Sequence, residues 1–287
     1  MTAQPHPHPQ TDTALHSFVK MHGLGNDFII LDGRNAPFVP SHAEIVRLSD
    51  RRAGIGCDQL IVLASDPDHD AFMRIFNADG GEVEACGNAT RCVGAYLAKD
   101  SGKARQVLRT VAGLLDTYTE GDETTVNMGP PRLTPTAIGL AKDVDPLYLP
   151  LGIPHLPAPA AISMGNPHMV FFMDSLEDLP LERLGKELTH HALYPQGTNV
   201  EFAQVLSRQK VRMRVWERGT GVTPACATGA CATVVAGVLR GLLESGKECE
   251  VVMDGGILLV TYDGEKVLMR GKVKHVFQGT FHHDLFD

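Results

Sequence analysis

The chain has little clustered positive charge, few cysteines for its length and no long apolar run. With a net charge of −8 and no basic run interleaved with aromatics, it lacks the Lys and Arg clusters that phosphate contacts need. No nucleic-acid partner is expected. No apolar stretch reaches transmembrane length, so no membrane partner is expected either. Six cysteines in 287 residues are too sparse for a disulfide scaffold. No C-x-x-C and no H-E-x-x-H occurs, so a metal site has no support. Free thiols in a reducing cytoplasm fit best. Residues 1–16, rich in Pro, His, Thr and Gln, have neither an apolar h-region nor an Arg-rich amphipathic pattern. They read as a disordered tail, with His6 and His8 solvated rather than metal-bound.

What the chain does have is a repeat. Met73-Arg74-Ile75-Phe76 leads through a turn to Ala85-Cys86-Gly87-Asn88, and Met213-Arg214-Val215-Trp216 leads through a turn to Ala225-Cys226-Ala227-Thr228. The offset is constant: 226 − 86 = 140, 214 − 74 = 140 and 166 − 26 = 140. The composition, 43% hydrophobic and 21% charged, allows each copy its own core.

Each copy reads as strands around one long helix. Strands are expected at 17–21, 28–32, 60–64 and 71–76, and Ser41 with Glu44 is a capping-box signature for a helix to about Arg51. A helix should start at Cys86 and end near Lys99, with alternating strands over 107–128. The proline-rich stretch 129–160 looks like the connection between halves. The second copy shows a turn and strand over 162–173, a helix over 181–191, strands at 200–206 and 211–216, and a glycine-rich turn over 217–223. A small-residue helix should run from Cys226 to about Leu243, and closing strands follow. A helix apolar on most faces is a buried one. The expected fold is α+β: two pseudo-symmetric domains, each a curved sheet wrapped around a central helix.

Both cysteines then sit at helix N-termini, where unpaired N–H groups and the dipole lower a thiol's pKa and bind a carboxylate. Two such ends facing each other would clamp one carboxylate between the N–H groups of Gly87, Asn88, Ala227 and Thr228. The carbon bearing it would lie between two sulfurs. That arrangement suits proton removal from one face and return to the other, with the N–H dipoles holding the carbanion's charge. A lone Cys at a helix start is ordinarily a small buried hydrophobe, and Cys92, Cys231, Cys249 and the unrepeated Cys57 keep that reading. The repeat sets Cys86 and Cys226 apart. Asn26, Gln59, Asn77, Asn166, Asn199, Glu217 and Arg218 occupy loops beside them and form a polar set; singly, each Asn is an ordinary turn residue. Arg218 has the fork to hold a second carboxylate, and Glu217 and His168 stand where they would tune the thiols.

The chain resembles the diaminopimelate epimerases. The resemblance is carried by His22-Gly23-Leu24-Gly25-Asn26-Asp27-Phe28, Gly54-Ile55-Gly56-Cys57-Asp58-Gln59, Asn77-Ala78-Asp79-Gly80, Ala85-Cys86-Gly87-Asn88-Ala89-Thr90-Arg91, Gly165-Asn166-Pro167-His168, Gly197-Thr198-Asn199-Val200, Glu217-Arg218-Gly219 and Ala225-Cys226. It implies cofactor-independent interconversion of LL- and meso-2,6-diaminopimelate in lysine and peptidoglycan biosynthesis. It implies Cys86 and Cys226 as the acid–base pair, modulated by His168 and Glu217. The backbone of Gly87, Asn88, Ala227 and Thr228 would hold the reacting carboxylate, and Asn26, Gln59, Asn77, Asn166, Asn199 and Arg218 would read the distal centre. It also implies a homodimer and a last strand returning to the first half, giving domains 17–132 with 272–287, and 133–271. Two positions depart from the family pattern: Ala227 stands where Gly is usual, and Val222 where Glu is common. A proline- or hydroxyproline-type racemase, or a thiol-based redox-sensing or binding protein, are the competing readings.

Overall fold

A computed structural model of the chain describes residues 15–83 and 86–286. The first half runs β1 (Leu15–Gly23), β2 (Asn26–Asp32), α1 (His42–Ser49), β3 (Gln59–Ala64), β4 (Ala71–Asn77), β5 (Glu82–Val83), α2 (Gly87–Ser101), β6 (Arg105–Thr110), β7 (Gly113–Glu120) and β8 (Glu123–Asn127). After a one-turn helix, α3 (Pro135–Ile138), the order repeats. It continues as β9 (Ala160–Ser163), β10 (Pro167–Phe172), α4 (Leu181–Leu188), β11 (Asn199–Ser207), β12 (Lys210–Glu217), β13 (Gly221–Thr223), α5 (Ala227–Leu239), β14 (Glu248–Met253), β15 (Gly256–Tyr262) and β16 (Val267–Lys272). The last strand, β17 (Lys274–His282), returns to pair antiparallel with β1.

The fold is two pseudo-symmetric domains, each a sheet wrapped around a central helix. In the first, β2–β3 is parallel and β3–β4 antiparallel; in the second, β10–β11 and β11–β12 repeat that order. The register repeats too: Leu60 faces Phe76, and Val200 faces Trp216. Period-two alternation splits each sheet's side chains between two cores. Phe28, Ile30, Ile61 and Leu63 point inward onto Ala89, Cys92 and Val93 of α2. Ile29, Leu31, Leu60 and Val62 point outward onto Ile45 and Leu48 of α1. In the second half Val170, Ala203, Met213 and Val215 pack on α5, while Phe171, Val200 and Phe202 pack on Leu184 and Leu188 of α4. The halves join edge to edge where β16 pairs with β8, Met269 opposite Val126.

Several boundaries differ from those expected. Leu15 and His16 belong to β1, not to a tail, because β17 pairs with them: Leu15 opposite His282 and His16 opposite Phe281. The rest of the expected tail, 1–14, lies outside the described residues, as do residues 84 and 85. Helix α5 ends at Leu239 rather than Leu243, because Gly241 takes a positive φ of 70°. Helix α4 ends at Leu188, not His191. The glycine-rich turn after Glu217 contains the short strand β13. The capping box on α1 is complete in both directions: Ser41 N–H donates to Glu44 Oε2 at 2.6 Å and Glu44 N–H to Ser41 Oγ at 3.4 Å.

Candidate active site

Cys86 is the N-cap of α2 and Cys226 the N-cap of α5, both with extended backbone. The two helix starts approach closely. A Cβ built on Gly87 would lie 3.2 Å from the Cβ of Ala227, so the Ala227 methyl faces the glycine at the opposite N-terminus. The departure at Ala227 is thereby accommodated on α2's side of the gap. Val222 lies in β13, opposite Trp216, and is exposed.

The polar candidates sit on strand ends beside these termini. Asn26 opens β2, Gln59 opens β3, Asn77 closes β4, Asn199 opens β11 and Glu217 closes β12. Asn166 precedes β10. Gly25 and Gly165 each turn the chain into its Asn with positive φ, 88° and 100°, which side-chain-bearing residues rarely adopt. In the first half, Gln59 Nε2 donates to Asn77 Oδ1 at 2.9 Å, and Gln59 Oε1 is buried without a partner. In the second, Asn199 Oδ1 accepts from the Arg218 N–H at 2.8 Å, and Asn199 Nδ2 donates to Pro167 O at 3.2 Å. The Arg218 guanidinium donates to the carbonyls of Gln196 and Gly197, at 2.9 and 3.4 Å.

Two relays run to the sulfurs. In the first half, Asn26 Oδ1 accepts from Asn88 Nδ2 at 3.2 Å and from the Cys86 thiol at 4.0 Å. Asn88 Oδ1 in turn accepts from Arg91 at 2.7 Å. In the second half, Thr228 Oγ1 lies 3.5 Å from Cys226 Sγ and accepts from Asn166 Nδ2 at 3.3 Å. Asn166 Oδ1 lies 3.0 Å from His168 Nε2, and His168 Nδ1–H donates to Glu201 Oε1 at 2.6 Å. The members correspond across the repeat, since 166 − 26 = 140 and 228 − 88 = 140. His168 thus reaches Cys226 through Asn166 and Thr228. The relays end on opposite charges, Arg91 in one half and Glu201 in the other.

Burial governs the thiols. Cys86 is pushed above the ordinary thiol value by burial and by Glu217, against the backbone N–H groups of Ala89 and Asn88 and the charge of Arg91. Cys226 is pushed well above it by burial, then by Glu217 and Glu201, despite the N–H of Gly229 at 3.4 Å. The helix termini act in the expected direction, but desolvation outweighs them. Glu217 is itself raised by burial, with Thr223 and Cys226 pulling it down. One carboxylate therefore bears on both thiols. The remaining cysteines are buried and free; Cys57 donates to Ser49 Oγ at 3.4 Å.

Glu201, Gly229, Asp58 and Arg91 escaped the sequence reading, whereas His168 did not. Glu201 and His168 take inward positions held in the first half by Ile61 and Phe28 (201 − 61 = 140, 168 − 28 = 140). A carboxylate replacing a buried Ile across the repeat was the available signal. Gly229 makes room for it: a Cβ there would lie 2.7 Å from Glu201 Oε1 and 3.3 Å from Cys226 Sγ. Asp58, whose Oδ2 accepts from Asn26 Nδ2 at 3.0 Å, lay within a quoted motif without a role. Among the described residues, no group of three His, Cys, Asp or Glu is placed to hold a metal, and no helix is long and apolar enough to cross a membrane.

Comparison with known proteins follows the repeat. The family model described as diaminopimelate epimerase matches twice, over residues 18–134 and 160–276. The diaminopimelate epimerase of Acidiphilium cryptum is 47% identical over 93% of this chain and 96% of its own. That of Rhodospirillum centenum is 48% identical, covering 91% of each chain. Among solved structures, a phenazine biosynthesis protein of the PhzF family from Bacillus anthracis is similar with a TM-score of 0.66 at 16% identity, covering 93% of this chain and 99% of that one. A hydroxyproline epimerase from Agrobacterium vitis gives 0.63 at 16% identity, covering 94% and 93%. At such identities these two share the fold. The double family match and the near-half identity over nine-tenths of the chain settle its kinship: it belongs to the diaminopimelate epimerase family.

Proposed function

We propose that the protein epimerises LL-2,6-diaminopimelate to the meso form without a cofactor, by two-thiol acid–base transfer, in a pathway to lysine and peptidoglycan. The observation that carries the reading is the pair of N-cap thiols on helix starts in contact at Gly87 and Ala227. The substrate's reacting carboxylate binds the N–H groups of Gly87, Asn88, Ala227 and Thr228, which offset the charge that develops as the α-proton leaves. One thiolate takes that proton, and the thiol across the gap delivers its own to the opposite face. The reverse reaction exchanges their roles. His168 and Glu217 tune the pair, Glu217 by its field on both sulfurs and His168 through Asn166 and Thr228.

Asn26, Gln59, Asn77, Asn166, Asn199 and Arg218 recognise the distal amino-acid centre. The unpartnered Gln59 Oε1 and the Arg218 fork supply an acceptor and a cation for it. A proline-type substrate has no such second centre to engage them. The first domain comprises 17–132 with 272–287, to which β1 adds Leu15 and His16, and the second 133–271, since β17 lies against β1 and Val273 packs around α2. The enzyme works in the cytoplasm as a homodimer on a small-molecule substrate.

The test uses purified, reduced protein with LL-diaminopimelate in D2O, following the α-proton signal by NMR. Exchange and appearance of the meso isomer are expected. No exchange with both thiols confirmed free would sink the reading. Cys86→Ala and Cys226→Ala should each abolish epimerisation, and survival in either would sink the two-base version.

A further inference from the structure

Arg91 is fully buried on α2, and among the described residues no carboxylate lies within salt-bridge distance of it. Its guanidinium donates to Asn88 Oδ1 at 2.7 Å and meets Met269 Sδ at 3.3 Å, while its Nε is buried without a partner. A lone buried charge costs several kcal/mol unless a counter-charge meets it, and arginine does not escape by losing its proton. Two glycines shape its cradle. A Cβ on Gly23 would lie 2.9 Å from the guanidinium, and one on Gly271 would lie 3.3 Å from Nε. Neither glycine has the positive φ that would otherwise account for it. The cradle thus holds the cation between β1 of one half and β16 of the other.

The repeat sharpens the point. The equivalent position in the second half is Cys231 (231 − 91 = 140), a buried neutral thiol. Behind Cys226 stand Glu201 and Glu217 instead. Both thiols feel Glu217, but only Cys86 has a buried cation behind it, and only Cys226 has Glu201 as well.

We propose that Arg91 is the positioning residue for Cys86. Through Asn88 and Asn26 it fixes that thiol, and its charge is the buried counterpart of the Cys86 thiolate and of the reacting carboxylate. When Cys86 ionises, its proton leaves to solvent and the negative charge on sulfur answers the guanidinium. The proposal rests on the acid–base role of Cys86.

The test compares wild-type, Arg91→Gln and Arg91→Lys proteins. Iodoacetamide alkylation of Cys86 and of Cys226 is followed separately by peptide mass spectrometry across pH, beside steady-state epimerisation. In Arg91→Gln, Cys86 should alkylate roughly 10-fold more slowly at a given pH, a one-unit rise in its apparent pKa. Cys226 should change less than about 2-fold, the basic shift should recur in the pH–rate profile, and Arg91→Lys should recover part of it. An unchanged Cys86 profile, or equal slowing of both thiols, would overturn the proposal. Should Arg91→Gln fail to fold, Gly23→Ala crowds the same guanidinium and should slow Cys86 selectively to a smaller extent; no selective slowing there overturns it equally. A wild-type protein that shows the Arg91-dependent alkylation but no α-proton exchange would sink the epimerase reading alone.

Discussion

Gly229 decides how the second half can hold a carboxylate beside its helix. Its counterpart is Ala89, since 229 − 89 = 140, and Ala89 packs in an apolar core. The methyl is absent where Glu201 replaces Ile61. Gly229→Ala should therefore force Glu201 or Cys226 to move, at a cost of about 1–3 kcal/mol despite the better helix propensity of alanine. Urea melts and epimerase assays on this variant should show both lower stability and lower activity; a stabilised, active variant would refute the packing argument. Glu201→Gln keeps the shape but removes the charge paired with His168 Nδ1. It should reduce activity while leaving the Cys86 alkylation profile near that of wild type, since the relay of Glu201 runs to Cys226.

At the scale of elements, the loop between α1 and β3 is a splint for Asn26. Arg51 grips Asp27 at 2.7 and 2.9 Å and Asp58 at 2.8 Å, and Asp58 holds Asn26. Burial acts against the charge of Asp27, but Arg51 and Lys20 hold its pKa below the ordinary carboxylate value. Asp58→Ala should leave stability within about 1 kcal/mol, since the pair is solvent-exposed. KM should rise by roughly 5–10-fold, corresponding to a lost hydrogen bond of about 1–1.5 kcal/mol; an unaltered KM would remove Asp58 from the binding machinery. Elements whose signals are local were legible in the chain: the Ser41–Glu44 box, the glycine turns before Asn26 and Asn166, and the strands with period-two alternation. Those made by distant partners were not. β1 begins at Leu15 only because β17 lies alongside it, and β13 is a strand only because β12 accepts it. Glu201 and Arg91 carry no local signal, because charged residues of a strand or a helix are ordinarily exposed. Tertiary placement buries them, and only the comparison of one copy with the other marks them.

At the scale of the whole molecule, the two central helices carry thiols into cores that water does not reach, with a consequence for stability at high pH. Burial pushes Cys92 and Cys231 up to about 12, with Arg91 pulling both back only in part, and Cys249 up to about 11. The unfolded chain ionises these thiols near 9.0. In that window the folded state keeps protons that the unfolded state has lost, so stability falls as pH rises. The contribution is fully present below about pH 9 and drains away toward pH 12. Each unit of separation is worth about 1.4 kcal/mol, so near pH 10.5 each helix thiol removes roughly 2 kcal/mol from the folding free energy. Urea melts of wild type and of the Cys92→Ala/Cys231→Ala double variant, taken across pH 8.5–10.5, isolate the effect from the lysines and tyrosines that both proteins share. The variant starts less stable, because two side chains are trimmed from packed cores. Its stability should nonetheless fall less steeply with pH, so that the difference between the two proteins narrows as the medium becomes more alkaline. Parallel pH slopes would mean that the helix thiols ionise in the folded protein much as they do in the unfolded chain, and that water reaches the two cores that hold them.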